Sequence, residues 1–338
     1  MKLVAALASA ALLLGLAGCS NDARNSSVKA SNDGHKAMGQ NQWETAIERY
    51  QKAIERWRDN HSAWYGLFGA FAKKGEWKDA ADAAQNAVQI SPSTAMYQLA
   101  YGRALYEKAW QQARKTQADR QNKKPEEIVP DMNGVSFEKA QQHLQEAVKL
   151  NNELWRAHYY LGRIYRDTGK EKEAATEFTK ALQSVPSEAA PWVALAELYR
   201  AWDYTEQALA VATQGAAPNI LPDGNEAGQL WYLVGMAYDD KSLFEKSIEA
   251  YTKALDQRRD LHQAKFQRGQ AYYKMGNYPN AKRDLEEFSK TGGASVNFEK
   301  AQASKMLMDI AAKTATQPAP GGEKMSPEDV VKKGKKAT

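Results

Sequence analysis

An all-α solenoid of stacked antiparallel helix pairs is the fold predicted for this 338-residue chain, on three observations. A pattern of small and large apolar residues recurs with a period of about 34 residues. In its clearest copy, residues 155–188, Leu161-Gly162 is followed by Tyr165, Ala174, Phe178, Ala181 and Pro186. The spacing within each copy is helical, so the apolar positions form one stripe per helix. A hairpin of this size cannot bury that stripe alone, and several copies in one phase specify a stack.

Each position of the clearest copy has a physical reason. Gly162 and Ala174 are small where the two helices of the hairpin approach each other, and Leu161, Tyr165 and Phe178 fall on the buried stripe. Ala181 leaves room for the next hairpin. Pro186 stops the second helix, because it lacks an amide donor and clashes with the preceding turn.

The other copies follow in order. Residues 27–60 form an atypical first copy with Gly34, Ala46, Tyr50 and Ala53; its first helix is poor in large apolar residues, so the assignment rests on its second half. Residues 61–94 supply Trp64, Leu67, Phe71, Gly75, Ala80, Ala84, Ala87 and Pro92. The third copy is split: its first helix begins near Ala95 with Tyr101, Gly102 and Leu105, and its second near Phe137 with Ala140, Leu144 and Ala147. Between them lies an insert at 109–135. Ala109 to Lys123 is rich in good helix formers and is predicted to lengthen the first helix, after which Pro125 and Pro130 force a loop.

Trp110 and the Ile128-Val129 pair would be exposed apolar groups, so the insert is either a second contact surface, a dimer contact or a tolerated insertion. As a contact surface, its residues 115–134 would be removable without loss of thermal stability.

Residues 189–222 carry Trp192, Leu195, Tyr199, Ala208, Ala212 and Gly215. Residues 228–261 carry Trp231, Gly235, Tyr238, Ser247, Tyr251 and Ala254, and residues 262–295 carry Gly269, Tyr272, Gly276, Ala281 and Leu285. An amphipathic helix at 298–312 (Phe298, Ala301, Met306, Leu307, Ile310) stands where a capping helix belongs, which gives a solenoid over 34–313. Residues 314–338, with Pro318, Pro320, Pro327 and Lys332-Lys333-Gly334-Lys335-Lys336, bury nothing and are expected to be disordered.

These spacings resemble the tetratricopeptide-repeat family. The resemblance implies a right-handed superhelix of six to seven repeats whose first helices line a concave groove that binds proteins. Carried onto this sequence, the groove positions are Tyr65, Arg103, Tyr106, Arg156, Tyr159, Arg163, Arg166, Glu197, Arg200, Tyr232, Asp239, Phe266, Gln270 and Tyr273. Tyrosine and arginine predominate, as at binding hot spots. The arginines cluster in the third to fifth repeats, which suggests a basic strip for an acidic or C-terminal peptide. The alternative remains open that the tyrosines pack between helices and the arginines pair with neighbouring acids.

At the N-terminus, Lys2 precedes an apolar run from Leu3 to Leu16, too short to span a bilayer, and reads as a secretory signal over 1–18. Its end, Leu16-Ala17-Gly18-Cys19, resembles the lipobox of bacterial lipoproteins. The resemblance implies that the mature chain begins at Cys19, which carries the lipids, and that Ser20 directs it to the outer membrane of a Gram-negative envelope, facing the periplasm. Residues 19–33 would then be a flexible tether.

No catalytic constellation is visible. The 5 histidines are scattered, the single cysteine is the one the lipobox resemblance assigns to lipid, and no metal-ligand spacing, P-loop or nucleophile elbow occurs. No cofactor is expected. A formal charge of +5 is modest for this length and does not point to nucleic acid. The expected function is a non-catalytic adaptor at the outer membrane, binding envelope proteins or their peptide segments. In layout it resembles the repeat pilotins of type IV pili and other envelope-assembly lipoproteins. The alternative is a lipoprotein that binds peptidoglycan or another acidic glycan.

Overall fold

A computed structural model describes residues 2–221, 224–290 and 296–315, with side chains described from residue 21 onward except that of residue 225. The described residues are all helix and turn, with no strand. They divide into two compact units, Met1–Leu233 and Val234–Thr338.

The first unit is a stack of helix pairs: α1 (Lys2–Gly39) with α2 (Trp43–Arg56), α3 (His61–Lys74) with α4 (Trp77–Ile90), α5 (Ala95–Gln121) with α6 (Glu138–Leu150), α7 (Trp155–Asp167) with α8 (Glu171–Ser184), and α9 (Ala189–Ala201) with α10 (Thr205–Gly215). The helix α11 (Asn225–Asp240) carries the boundary between the units. The second unit continues with α12 (Phe244–Gln257), α13 (His262–Lys274) paired with α14 (Tyr278–Ser289), and a final helix α15 (Asn297–Ala315) that packs on α13 and α14 as a cap.

Two devices recur along the stack. In the turn between the helices, Asn41, Gly75, Gly169, Asp203, Ser242 and Gly276 all take positive φ, which lets the chain reverse within a few residues. Across the pair, a glycine of the first helix receives a large side chain of the second. A Cβ built on Gly34 would lie 2.6 Å from Tyr50, on Gly102 2.7 Å from Leu144, on Gly162 2.6 Å from Phe178, and on Gly235 2.4 Å from Tyr251. The receiving rings and branches, Tyr50, Leu144, Phe178 and Tyr251, are fully buried.

The expected tether is a helix from residue 21 onward, and its second half is packed against the body. Ser27, Ala30, Ser31 and Ala37 are buried. Ser27 Oγ donates to the Ala53 carbonyl at 2.6 Å and accepts from Asn60 Nδ2 at 2.9 Å. Tyr50 Oη and His35 Nδ1 lie 2.7 Å apart. The stripe is made of small residues, so α1 reaches α2 by close approach rather than by large apolar side chains, and it completes the first pair. The helix α15 extends to Ala315; the remainder of the expected Lys-rich tail lies outside the described residues. The side chain of Cys19 also lies outside them.

The insert folds back on itself. After α5 a short 3-10 turn, Pro125–Glu127, starts a loop that returns along the helix. Arg114 Nε donates to the Ile128 carbonyl at 3.0 Å, and Gln117 exchanges bonds of 2.6 and 2.9 Å with the backbone of Asp131. Ile128 and Met132 are buried, the latter against Tyr106 and Phe137, while Val129 is exposed. The expectation that residues 115–134 can be removed without thermal cost therefore does not hold: they cover part of the core of the third pair.

His158 is buried, with Nδ1 2.6 Å from Glu177 Oε2 and Nε2 2.9 Å from the Asn152 carbonyl. Burial raises the Glu177 pKa, but the bonds from His158 and Lys180 outweigh it and the net shift is downward. A depressed carboxylate contributes stability that is present above its unfolded pKa and lost as the pH falls through its folded pKa. Glu177→Gln is accordingly expected to flatten the acid side of a melting profile below about pH 4.5, the ordinary Glu value, and to leave the alkaline side unchanged. A variant that melts in parallel with the wild type across the acid range would refute this.

Candidate functional site

In the first unit each first helix touches the next first helix: α1 meets α3, α3 meets α5, α5 meets α7 and α7 meets α9. The second helices α2, α4, α6, α8 and α10 make no such contacts with one another. The stack therefore bends toward the first helices, and their free faces make its concave side.

The groove positions fall into three groups. Tyr106 and Phe266 are buried and unavailable to a ligand. Tyr106 Oη donates to Asp167 Oδ2 at 2.5 Å, and burial pushes its hydroxyl far up, so it stays a donor. Phe266, in the second unit, packs on Phe288 with ring centroids 4.9 Å apart. Both were expected in the groove because of their helix register; both instead face a neighbouring helix, which fills the space that the register leaves open.

A second group is committed within the protein. Arg163 Nη1 lies 2.7 Å from Glu107 Oε1, and its guanidinium sits 4.6 Å from the Tyr106 ring, 5.3 Å from Tyr160 and 5.8 Å from Tyr159. Tyr160 Oη donates to the same Glu107 oxygen at 3.1 Å. Arg166 Nη2 pairs with Asp167 at 2.9 Å, and Arg156 lies 4.4 Å over Trp155 and 3.7 Å from Glu188. Tyr159 packs between Trp155, Tyr160 and Phe178. In the second unit, Tyr273 donates to Asp309 of α15 at 2.5 Å and Tyr251 donates to Asp239 at 2.8 Å. Arg200 and Tyr232 are half-buried and also engage neighbours. The continuous basic strip expected from the sequence is thus largely neutralised by acids one residue away from the groove register, Glu107 and Asp167 above all.

The third group stays open. Among the described residues Arg103 forms no ion pair, and its Nε is buried without a hydrogen-bond partner. The guanidinium is held 5.2 Å from the Trp77 ring and 5.7 Å from Tyr160. It forms one wall of a cavity of about 340 Å³ lined also by His35, Met38, Tyr65, Phe68, Gly69 and Lys73. Burial pushes the Tyr65 hydroxyl pKa up while the Arg156 and Arg103 charges act against it. Tyr65 is stacked on Phe68 and tilted against Tyr97, at 5.8 and 5.2 Å. A Cβ on Gly69 would meet only the tip of Met38, at 3.6 Å, so the cavity exists partly because this position has no side chain. Sequence reasoning passed over His35, Met38, Gly69 and Lys73, since the first helix gave no apolar signal and a glycine leaves none.

Among the described residues, no group of three or more His, Cys, Asp or Glu is placed to hold a metal ion. No helix searched is long and apolar enough to cross a membrane.

Comparison with known proteins agrees with the fold. The tetratricopeptide repeat matches over residues 34–95 and 136–189, and again over 228–261 and 263–291. A search of curated proteins finds no match. Among solved structures, a tetratricopeptide repeat protein from Parabacteroides merdae is 12% identical with a TM-score of 0.53, covering 85% of this chain and 99% of that one. PilF of Pseudomonas aeruginosa is 11% identical at a TM-score of 0.53, covering 72% and 97%. The Cut9-Hcn1 hetero-tetramer of the APC/C gives 18% identity and a TM-score of 0.53, covering 76% of this chain and 46% of that one.

Proposed function

We propose that this chain, which belongs to the tetratricopeptide-repeat family, is a non-catalytic scaffold whose concave face seats an extended segment of a partner protein. The observation that carries this reading is Arg103: a cation without an acid partner, its Nε buried and unbonded, at the wall of an apolar cavity. A buried donor without a partner costs about 1–3 kcal/mol, which marks a guanidinium held in place for another purpose; its terminal amino groups would meet a carboxylate or carbonyl of a bound segment. The neighbouring cavity, with Met38 and Phe68, fits one apolar side chain of the same segment.

The address of the scaffold rests on Leu16-Ala17-Gly18-Cys19. Lipidation at Cys19 would hold it at the outer membrane facing the periplasm, where its partners would be components of an envelope machine. Because α1 is packed from Ser27 onward, the link between anchor and body is short, and the scaffold would work close to the membrane.

Two variants test the groove. Arg103→Glu reverses the open charge. Gly69→Leu fills the cavity and replaces a helix glycine, which costs about 0.8–1.0 kcal/mol relative to Ala; an unchanged melting curve separates a binding defect from a folding defect. Photo-crosslinking from Tyr65 in intact cells is expected to trap a partner with the wild type and to lose it with both variants. Undiminished crosslinking in Gly69→Leu and Arg103→Glu would rule out this groove.

A further inference from the structure

We infer that the cleft between the start of α4 and the distal half of α5 is a second binding site, for a soluble phosphate-bearing polyanion. The cleft is about 530 Å³ and is lined by Lys78, Lys108, Arg114 and Lys115 against a single carboxylate, Asp119. It lies on the insert-lengthened part of α5 and on a different set of side chains from the groove.

The cations are free to act. Lys78, Lys108 and Lys115 are exposed and form no ion pair among the described residues. Arg114 is fixed rather than neutralised: its Nε donates to the Ile128 carbonyl at 3.0 Å and its guanidinium stacks 5.4 Å from the Trp110 ring. The folded-back loop thus holds one guanidinium at the edge of the cleft with its terminal amino groups unused. Asp119 is the one carboxylate in the lining, and Glu107 on the same helix is bound to Arg163.

Spacing and shape select the ligand. Lys108 and Lys115 stand two helical turns apart, about 10 Å along the axis, too far for one anion and suited to successive charges of a chain. Three lysines supply point charges and Arg114 a guanidinium fork, a mixed set suited to the tetrahedral, many-oxygen charge of successive phosphates. A concave cleft admits a polymer strand and excludes a planar layer of lipid headgroups. Release of counterions on binding would make the affinity fall steeply with salt.

The test uses the full chain and inorganic polyphosphate as probe, followed by calorimetry at two salt concentrations. The wild type is expected to bind, and Lys108→Glu/Lys115→Glu to bind at least about tenfold more weakly, in keeping with loss of two phosphate contacts. Lys78→Glu is expected to weaken binding in the same direction, and Arg103→Glu to leave it unchanged. Equal affinity of the double variant and the wild type would overturn the site. Equal binding of poly-glutamate would overturn the phosphate assignment, and binding to phosphatidylglycerol vesicles without binding to polyphosphate would overturn the soluble ligand. The α5 variants lie on exposed positions, so an unchanged melting curve separates a lost site from a lost fold.

Discussion

Phe178→Ala is expected to destabilise the first unit by about 3–5 kcal/mol, the range for emptying a large aromatic site in a core. Phe178 is fully buried in α8, and its ring occupies the space above Gly162, where an added Cβ would lie 2.6 Å away. It also packs on Tyr159, with centroids 5.9 Å apart. The α7 and α8 helices meet through this ring, so its removal leaves a cavity between two rigid helices that cannot fully collapse. In a repeat stack stability is close to a sum of repeat and nearest-neighbour terms. The loss should therefore appear first as amide exchange in α7 and α8, before the global transition in urea. The complementary change, Gly162→Val, pushes two β-branched methyls into the same ring and should cost about 1–3 kcal/mol. A Phe178→Ala protein within about 1 kcal/mol of the wild type, well below the cavity range, would show that the ring is not the contact that joins the pair.

Arg163→Glu should be at least as damaging, and for a different reason. The guanidinium is the hub that joins α5 to α7: it pairs with Glu107 at 2.7 Å and is enclosed by the rings of Tyr106, Tyr159 and Tyr160. Reversal places two carboxylates together in a partly desolvated pocket that also holds the Tyr160 hydroxyl. Breaking a buried pair by removing one partner costs about 3–5 kcal/mol, and like-charge repulsion adds to that. Arg163→Met, which removes the charge but keeps apolar bulk, leaves Glu107 unpaired and should cost less than the reversal. Glu107→Lys combined with Arg163→Glu should recover part of the loss, because the pair is restored in the opposite sense. If Arg163→Glu melts like the wild type while partner capture falls, the arginine is a groove residue and not a strut. The same result in the charge-swapped double variant as in the single reversal would show that the Glu107 contact is not what matters.

This distinction between strut and groove is where the sequence was hardest to read. The helix pairs, their glycine and alanine approaches and the capping helix follow from a spacing of apolar and small residues; the glycine and alanine approaches are buried, whereas Tyr165 is half-buried and Phe298 and Ala301 of the capping helix are exposed. The first pair was only half visible, because α1 meets α2 through Ser27, Ala30, Ser31 and Ala37, whose small side chains carry no hydrophobic signal. The groove was visible as a set of positions and not as a set of free side chains. Register places Arg103, Arg156, Arg163 and Arg166 alike on first helices, but it cannot tell which acids stand opposite, since Glu107 and Arg163 are brought together only when α5 stacks on α7.

By itself, then, the sequence determined an all-α stack of helical pairs and the positions of its closest approaches. These depend on local periodicity and on side-chain volume, which are properties of each copy alone. Tertiary structure decided which charges are spent and which remain. It closed Tyr106 and Phe266 into cores, paired Arg163 and Arg166, left Arg103 without an ion pair among the described residues beside a cavity, and packed α4 on α5 to bring Lys78, Lys108 and Lys115 around one cleft. Charge pairing depends on distances between residues far apart in the chain, and those distances are set only when the copies stack.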